Sequence, residues 1–157
     1  MIQFEMDQSA LQEVQQRLSG LAPRVVAAVY RELKPLLYQS FSSALQKYFS
    51  GNAPERGPAG DVLTVRSGDL RDSVLKSFQA NIDGGTLSIR AGSDLAYAAI
   101  HEYGGFSGRK APYKKKRGHR AWIRPRPYLR PALHDLEQVL PDLLEQAIQQ
   151  ATADTIQ

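Results

Sequence analysis

The residues best placed to do chemistry are His101 and Glu102, side by side in "AYAAIHEYGGF", residues 96 to 106. Zinc peptidases hold their metal with two histidines one helical turn apart and use the intervening glutamate as base. That arrangement needs a second histidine at position 105, where this chain has Gly105. The two remaining histidines, His119 and His134, fall in a basic stretch and in a terminal helical pattern, with no ligand spacing. No cysteine is present, which removes thiolate metal sites, disulfides and cysteine nucleophiles together. The serines lie in cap and turn contexts, without the G-x-S-x-G elbow of a serine hydrolase. The pieces "DGG" and "YGG" lack the lysine and spacing of a phosphate-binding loop. The expectation is a protein that is not an enzyme, with no catalytic residue, no metal and no cofactor.

Charge is the second chemical feature. Between Glu102 and Asp135 there are ten basic residues and no acidic one, while the remaining chain holds ten basic and sixteen acidic residues. The formal charge is therefore +10 inside that window and −6 outside it. Arg109, Lys110, Lys114, Lys115, Lys116, Arg117 and Arg120 concentrate in one stretch, followed by Arg124, Arg126 and Arg130. Such a run faces an anionic partner, either nucleic acid or the acidic part of another copy. Tyr113, Trp122 and Tyr128 interleave with the charges, a pattern compatible with stacking on single-stranded nucleic acid.

These residues need elements to hold them. Leu11, Val14, Leu18 and Leu21 recur at helical spacing behind a cap at Asp7 or Ser9, and Gly20 ends that helix. Pro23 opens a second helix with the stripe Val25, Val29, Leu33, Leu36 or Leu37, Phe41, Leu45 and Tyr48. Pro35 inside it predicts a kink or break. Residues 50–66 are rich in Gly and Pro and read as a long loop. Ser67 is placed to cap a short helix that turns Leu70 and Val74 inward. Val74, Phe78, Ala80 and Ile82 share one face, as do Leu87, Ile89 and Ala91 beyond Gly84-Gly85, which predicts a β-hairpin. Asp94 is placed to cap a helix over 95–103, stopped by Gly104 and Gly105, and 104–121 forms a second long loop. "RAWIRPRPYLRPAL" is extended and then turns into a C-terminal helix opened by Pro131 and kinked at Pro141. An extra strand is expected over 2–6.

The sum is one α+β domain over 1–157, a small antiparallel sheet covered on its apolar face by long N-terminal and C-terminal helices. The 42% apolar content suffices for a core at this length. "MIQFEMDQSA" has no basic start followed by an apolar run, and no stretch of about 18 apolar residues suits a membrane helix. A soluble, cytoplasmically made protein is the expectation.

Three short blocks stand in order along the chain: "SGDLRDSV", "YAAIHEYGG" and "RPRPYLRPAL". They hold Ser67, Gly68, Leu70 and Ser73; then Tyr97, Ala98, Glu102, Tyr103 and Gly104; then Arg126, Pro127, Tyr128, Leu129, Pro131, Ala132 and Leu133. The set resembles the tail-completion and virion-morphogenesis proteins of tailed bacteriophages, the neck, head-tail joining and tail-terminator group. Ser67 stands where that pattern more commonly has threonine, and the insertion between Gly105 and Trp122 is long and unusually basic. The resemblance implies a structural subunit that forms a ring, often of six copies, where the capsid connector meets the tail tube. Its partners would be itself, connector or adaptor proteins and tail tube or terminator proteins, with DNA passing through the lumen without sequence-specific contacts. Localisation would be the virion tail or neck, after assembly in the host cytoplasm. Tyr97, His101 and Tyr103 would then be interface anchors, or else the two tyrosines pack internally. A nucleic-acid-binding protein using residues 109–130 is the competing reading.

Overall fold

The computed structural model describes residues 2–6, 8–50, 63–64, 68–83, 86–106 and 122–155. The chain is α+β. A three-stranded antiparallel sheet has the order β1-β5-β4, with β1 at Ile2–Glu5, β4 at Gln79–Asp83 and β5 at Thr86–Ser93. Three helices cover one of its faces: α1 (Gln8–Ser19), α2 (Pro23–Tyr48) and α5 (Leu129–Thr155). Two short helices, α3 (Asp69–Ser77) and α4 (Ala98–Tyr103), flank the β4–β5 pair in sequence. Two-residue ladders complete the set: β2 (Phe49–Ser50) with β3 (Leu63–Thr64), parallel, and β6 (Gly105–Phe106) with β7 (Trp122–Ile123), antiparallel.

Side-chain alternation decides which sheet face is covered. Register puts Ile82 opposite Leu87, Ala80 opposite Ile89 and Phe4 opposite Ala91, so these residues share the face turned to the helices. Leu87, Ile89 and Ala91 are buried there, whereas Gln3, Gln79, Asn81 and Arg90 on the other face are exposed. Asp83 pairs with Thr86 at the end of the β4–β5 ladder, and the expected turn glycines, Gly84 and Gly85, lie outside the described residues.

The long helices follow their apolar stripes. Leu11, Val14 and Leu18 of α1 are buried, as are Val29, Leu33, Leu37, Phe41 and Leu45 of α2. Along α5, Leu133, Leu136, Leu140, Leu144 and Ala147 continue the same core. Lys47 Nζ and Tyr48 Oη reach Asp135 Oδ2 at 3.1 and 3.2 Å, joining the end of α2 to the start of α5. The Tyr30 hydroxyl donates to the Ala80 carbonyl and ties α2 to β4.

Several expectations need correction. α2 runs unbroken through Pro35, so the break that the sequence allowed there does not occur, because fully buried Leu33 and Leu37 on both sides hold the backbone by packing. Ser9 lies inside α1, past its first residue, while Asp7 lies outside the described residues. α4 starts at Ala98, behind the non-helical turn at Ala96-Tyr97, and Asp94 does not cap it. The cap position of α3 is Gly68, and Ser67 lies outside the described residues. Val74 belongs to α3 rather than to the strand. Leu63–Thr64 falls inside the first predicted loop and Gly105–Phe106 inside the second, each in a two-residue ladder too short to leave a period in the sequence.

α3 meets the sheet through serines. Ser77 Oγ accepts from Gly92 N–H at 2.8 Å and donates to Gly92 C=O at 2.6 Å, serving both backbone groups of one strand residue. The Ser73 and Ser93 hydroxyls are bonded at 2.9 Å.

Candidate functional site

Residues 97–104 and 123–130 build a joint whose centre is Glu102. This carboxylate is fully buried, on a six-residue helix, and points at the start of α5. Its Oε2 accepts from the backbone N–H groups of Tyr128 at 2.9 Å and Leu129 at 3.0 Å. Its Oε1 accepts from Arg130 N–H at 3.2 Å and from Arg130 Nε at 3.0 Å. The first turn of a helix leaves its amide donors without intrahelical partners, and an anion there is favoured by the helix dipole. Residues 125–128 read Pro-Arg-Pro-Tyr and offer no capping side chain. Pro131 has no N–H to satisfy, and Ala132 N–H begins the helical series at Tyr128 C=O, 3.3 Å away. Glu102 thus serves all three open donors of this helix start from 26 to 28 residues upstream.

The rest of the joint follows from that clamp. Arg126 N–H donates to His101 C=O at 2.6 Å. Gly104 has φ of 76°, and a Cβ there would stand 2.8 Å from Pro125 Cδ and 3.0 Å from the Ile123 oxygen. The glycine stop of α4 is therefore also where the returning chain crosses it. Tyr128 is buried, edge-on to Phe49 at 5.2 Å, with its hydroxyl donating to Ala98 C=O at 3.4 Å. Burial first, then the Glu102 charge, pushes its phenol well above the usual range.

Several motif residues are consequently framework. Glu102, Tyr128, Leu129 and Leu70 are buried, so they build this chain's own core. Gly68, at the N-cap of α3, and Ser73, within it, are half-buried. Tyr97, Tyr103 and Arg126 lie at the surface. Tyr103 leans on Phe4, with ring centroids 6.0 Å apart, and the Arg130 guanidinium sits 5.1 Å from its ring centroid. Phe106 and Trp122 meet edge to face at 5.0 Å across the β6–β7 ladder. Of six exposed large hydrophobic side chains among the described residues, Tyr97, Tyr103, Phe106 and Trp122 fall in this one region. Phe106 was not apparent from the sequence as part of a surface; its pairing with Trp122 depends on the ladder. Pro127 and Pro131 are half-buried near the start of α5. Arg109, Lys110, Lys114, Lys115, Lys116, Arg117 and Arg120 lie outside the described residues.

His101 packs against Tyr97 at 5.8 Å, and its Nδ1 is buried without a hydrogen-bond partner among the described residues. Burial chiefly, and the Arg126 charge next, hold its pKa below the ordinary 6.5. An unfolded chain therefore takes up this proton first as pH falls, and the His101 contribution to stability declines from about pH 7 down through the folded-state pKa. In an NMR titration, Arg126→Gln should move the His101 midpoint upward, yet leave it below that of an unfolded peptide because burial remains. An unchanged midpoint would remove Arg126 from the account.

Chemically, Glu102 has no free face with which to act as a base. No group of three His, Cys, Asp or Glu side chains suited to a metal occurs among the described residues, and none of their helices is long and apolar enough to cross a membrane. Comparison with protein-family models, with curated proteins and with solved structures finds no match to this chain.

Proposed function

We propose that this chain is a structural, non-enzymatic virion protein of a tailed phage or prophage, forming a homo-oligomeric ring at the head-tail junction that completes the tail or joins it to the head. The observation that carries this reading is the surface around Tyr103, Phe106 and Trp122, 53 to 59% exposed, beside exposed Arg124 and Arg126. Aromatic residues and arginine are the types enriched where proteins meet, and contiguous exposed apolar surface marks such places. The resemblance in three ordered blocks supports it further. Two of these blocks, "YAAIHEYGG" and "RPRPYLRPAL", are joined through Glu102, which gives their presence together a structural reason that needs no reaction. Connector, adaptor, tube or terminator proteins are the axial partners, and lumen DNA is contacted without sequence preference.

Quantitative mass spectrometry of purified particles tests the assignment. It should find the chain at a small fixed copy number per virion, and its absence from intact particles would contradict the proposal. The basic stretch favours a second reading, a nucleic-acid-binding protein. That reading predicts duplex binding that weakens steeply with salt and disappears when Lys114, Lys115, Lys116 and Arg117 are neutralised.

A further inference from the structure

Among the described residues β4 ends the sheet, and its outer margin has backbone groups open to pairing. Met6 N–H donates to Ile89 C=O at 3.2 Å, so Ile89 turns its backbone toward β1. Successive residues of an antiparallel strand turn theirs to opposite sides, so Ser88 and Arg90 serve β4, where Asn81 and Gln79 lie opposite them. Ala80 and Ile82 consequently direct their N–H and C=O groups away from the sheet. The Tyr30 hydroxyl donates to Ala80 C=O. Ala80 N–H and both groups of Ile82 have no partner among the described residues.

On the helix side of this margin α2 leaves apolar surface uncovered. A hollow of about 510 Å³ lies beside Ile82, walled by Leu21, Pro23, Val26 and Ala27. A second, of about 350 Å³, lies beside Phe78 and Ala80, walled by Lys34, Pro35 and Tyr38. Tyr38 is 46% exposed and edge-on to Phe78, with ring centroids 6.0 Å apart. The hollows thus adjoin alternate residues of one strand, the spacing at which a strand laid along β4 would send side chains to the same face. A helix bonds its own backbone and has no use for the open margin. Lys34 is the one charged side chain lining either hollow among the described residues, so the occupant carries a carboxylate there.

We infer that an extended segment of a partner protein adds to β4 as a fourth strand, its inward apolar side chains entering the two hollows and a carboxylate at one end meeting Lys34. Main-chain bonds to Ala80 and Ile82 supply affinity, and the hollows select alternating apolar residues. The contact does not depend on ring formation.

NMR of the labelled full chain tests it, with a short synthetic peptide of alternating valine and threonine ending in glutamate as the probe. Millimolar peptide should shift the Ala80 and Ile82 amides and slow their hydrogen exchange at least tenfold. The same peptide with every backbone nitrogen methylated should leave both amides unchanged. Lys34→Glu should weaken binding at least threefold, and a peptide ending in lysine should restore it. Ala80 and Ile82 amides that do not respond would overturn the proposal. Equal binding of the methylated peptide would show hollows that take apolar groups without strand addition, and would overturn it too. Self-association of the chain alone, with slowed exchange at Ala80 and Ile82, would assign the margin to a second copy and equally overturn it.

Discussion

Replacing Glu102 by alanine is expected to destabilise the fold by about 4 kcal/mol and lower the melting temperature by about 10 °C. The size follows from where the abandoned donors sit. Tyr128 and Leu129 are 0% exposed, so their N–H groups cannot turn to water once the carboxylate is gone. Each buried donor left unsatisfied costs about 1–3 kcal/mol, and a lost helix cap adds to that. Arg130 contributes little of this, because its side chain is 52% exposed and regains water readily. Arg130→Gln should therefore cost under about 1 kcal/mol. Glu102→Gln should fall between the two, since its amide nitrogen would face donors rather than accept from them. Thermal unfolding followed by circular dichroism ranks the three. Equal effects for Glu102→Ala and Arg130→Gln would mean that the ion pair, not the backbone cap, is what matters.

The second large effect belongs to Gly92. A Cβ added there would overlap the Ile2 carbonyl oxygen and stand 3.0 Å from Gln3 Cα, so the backbone of β1 must move. Overpacking of this kind costs about 1–3 kcal/mol, and the obstruction is backbone rather than a side chain that can swing away. Gly92→Ala should loosen β1 and lower amide protection at Phe4, whose pairing with Ala91 depends on the close approach. Gly20→Ala is the control, since its nearest neighbour would be the Arg17 oxygen at 4.0 Å, and a change within about 0.5 kcal/mol is expected. Hydrogen exchange read residue by residue checks both. Unaltered protection across β1 would contradict the packing described.

The parts of the fold that could be read from the sequence are those with a period. The stripes of α1, α2 and α5 and the alternation of β4 and β5 each repeat over enough residues to specify type and face. Pro35 does not break α2 because helix stability comes from packing, and Pro35 sits between the fully buried Leu33 and Leu37. Glu102 escaped because capping rules look within about three residues of a helix start, and this cap comes from a separate helix. A signal was nonetheless present. "RPYLRPAL" opens a long helix without Ser, Thr, Asp or Asn ahead of it, so its donors had to be satisfied from elsewhere. Gly92 carried a similar hint, as glycine inside a strand marks close approach of another backbone. The Phe106–Trp122 pair could not be read, because it depends on a ladder joining residues on either side of a 15-residue segment.

The central claim is assembly into a closed ring. Native mass spectrometry of the purified full chain, across a concentration series, tests it most directly. The account predicts one dominant species at a fixed integer multiple of the protomer mass, six being the number the resemblance implies, with no ladder of larger forms. A protomer at every concentration, or an open-ended series of oligomers, would contradict it.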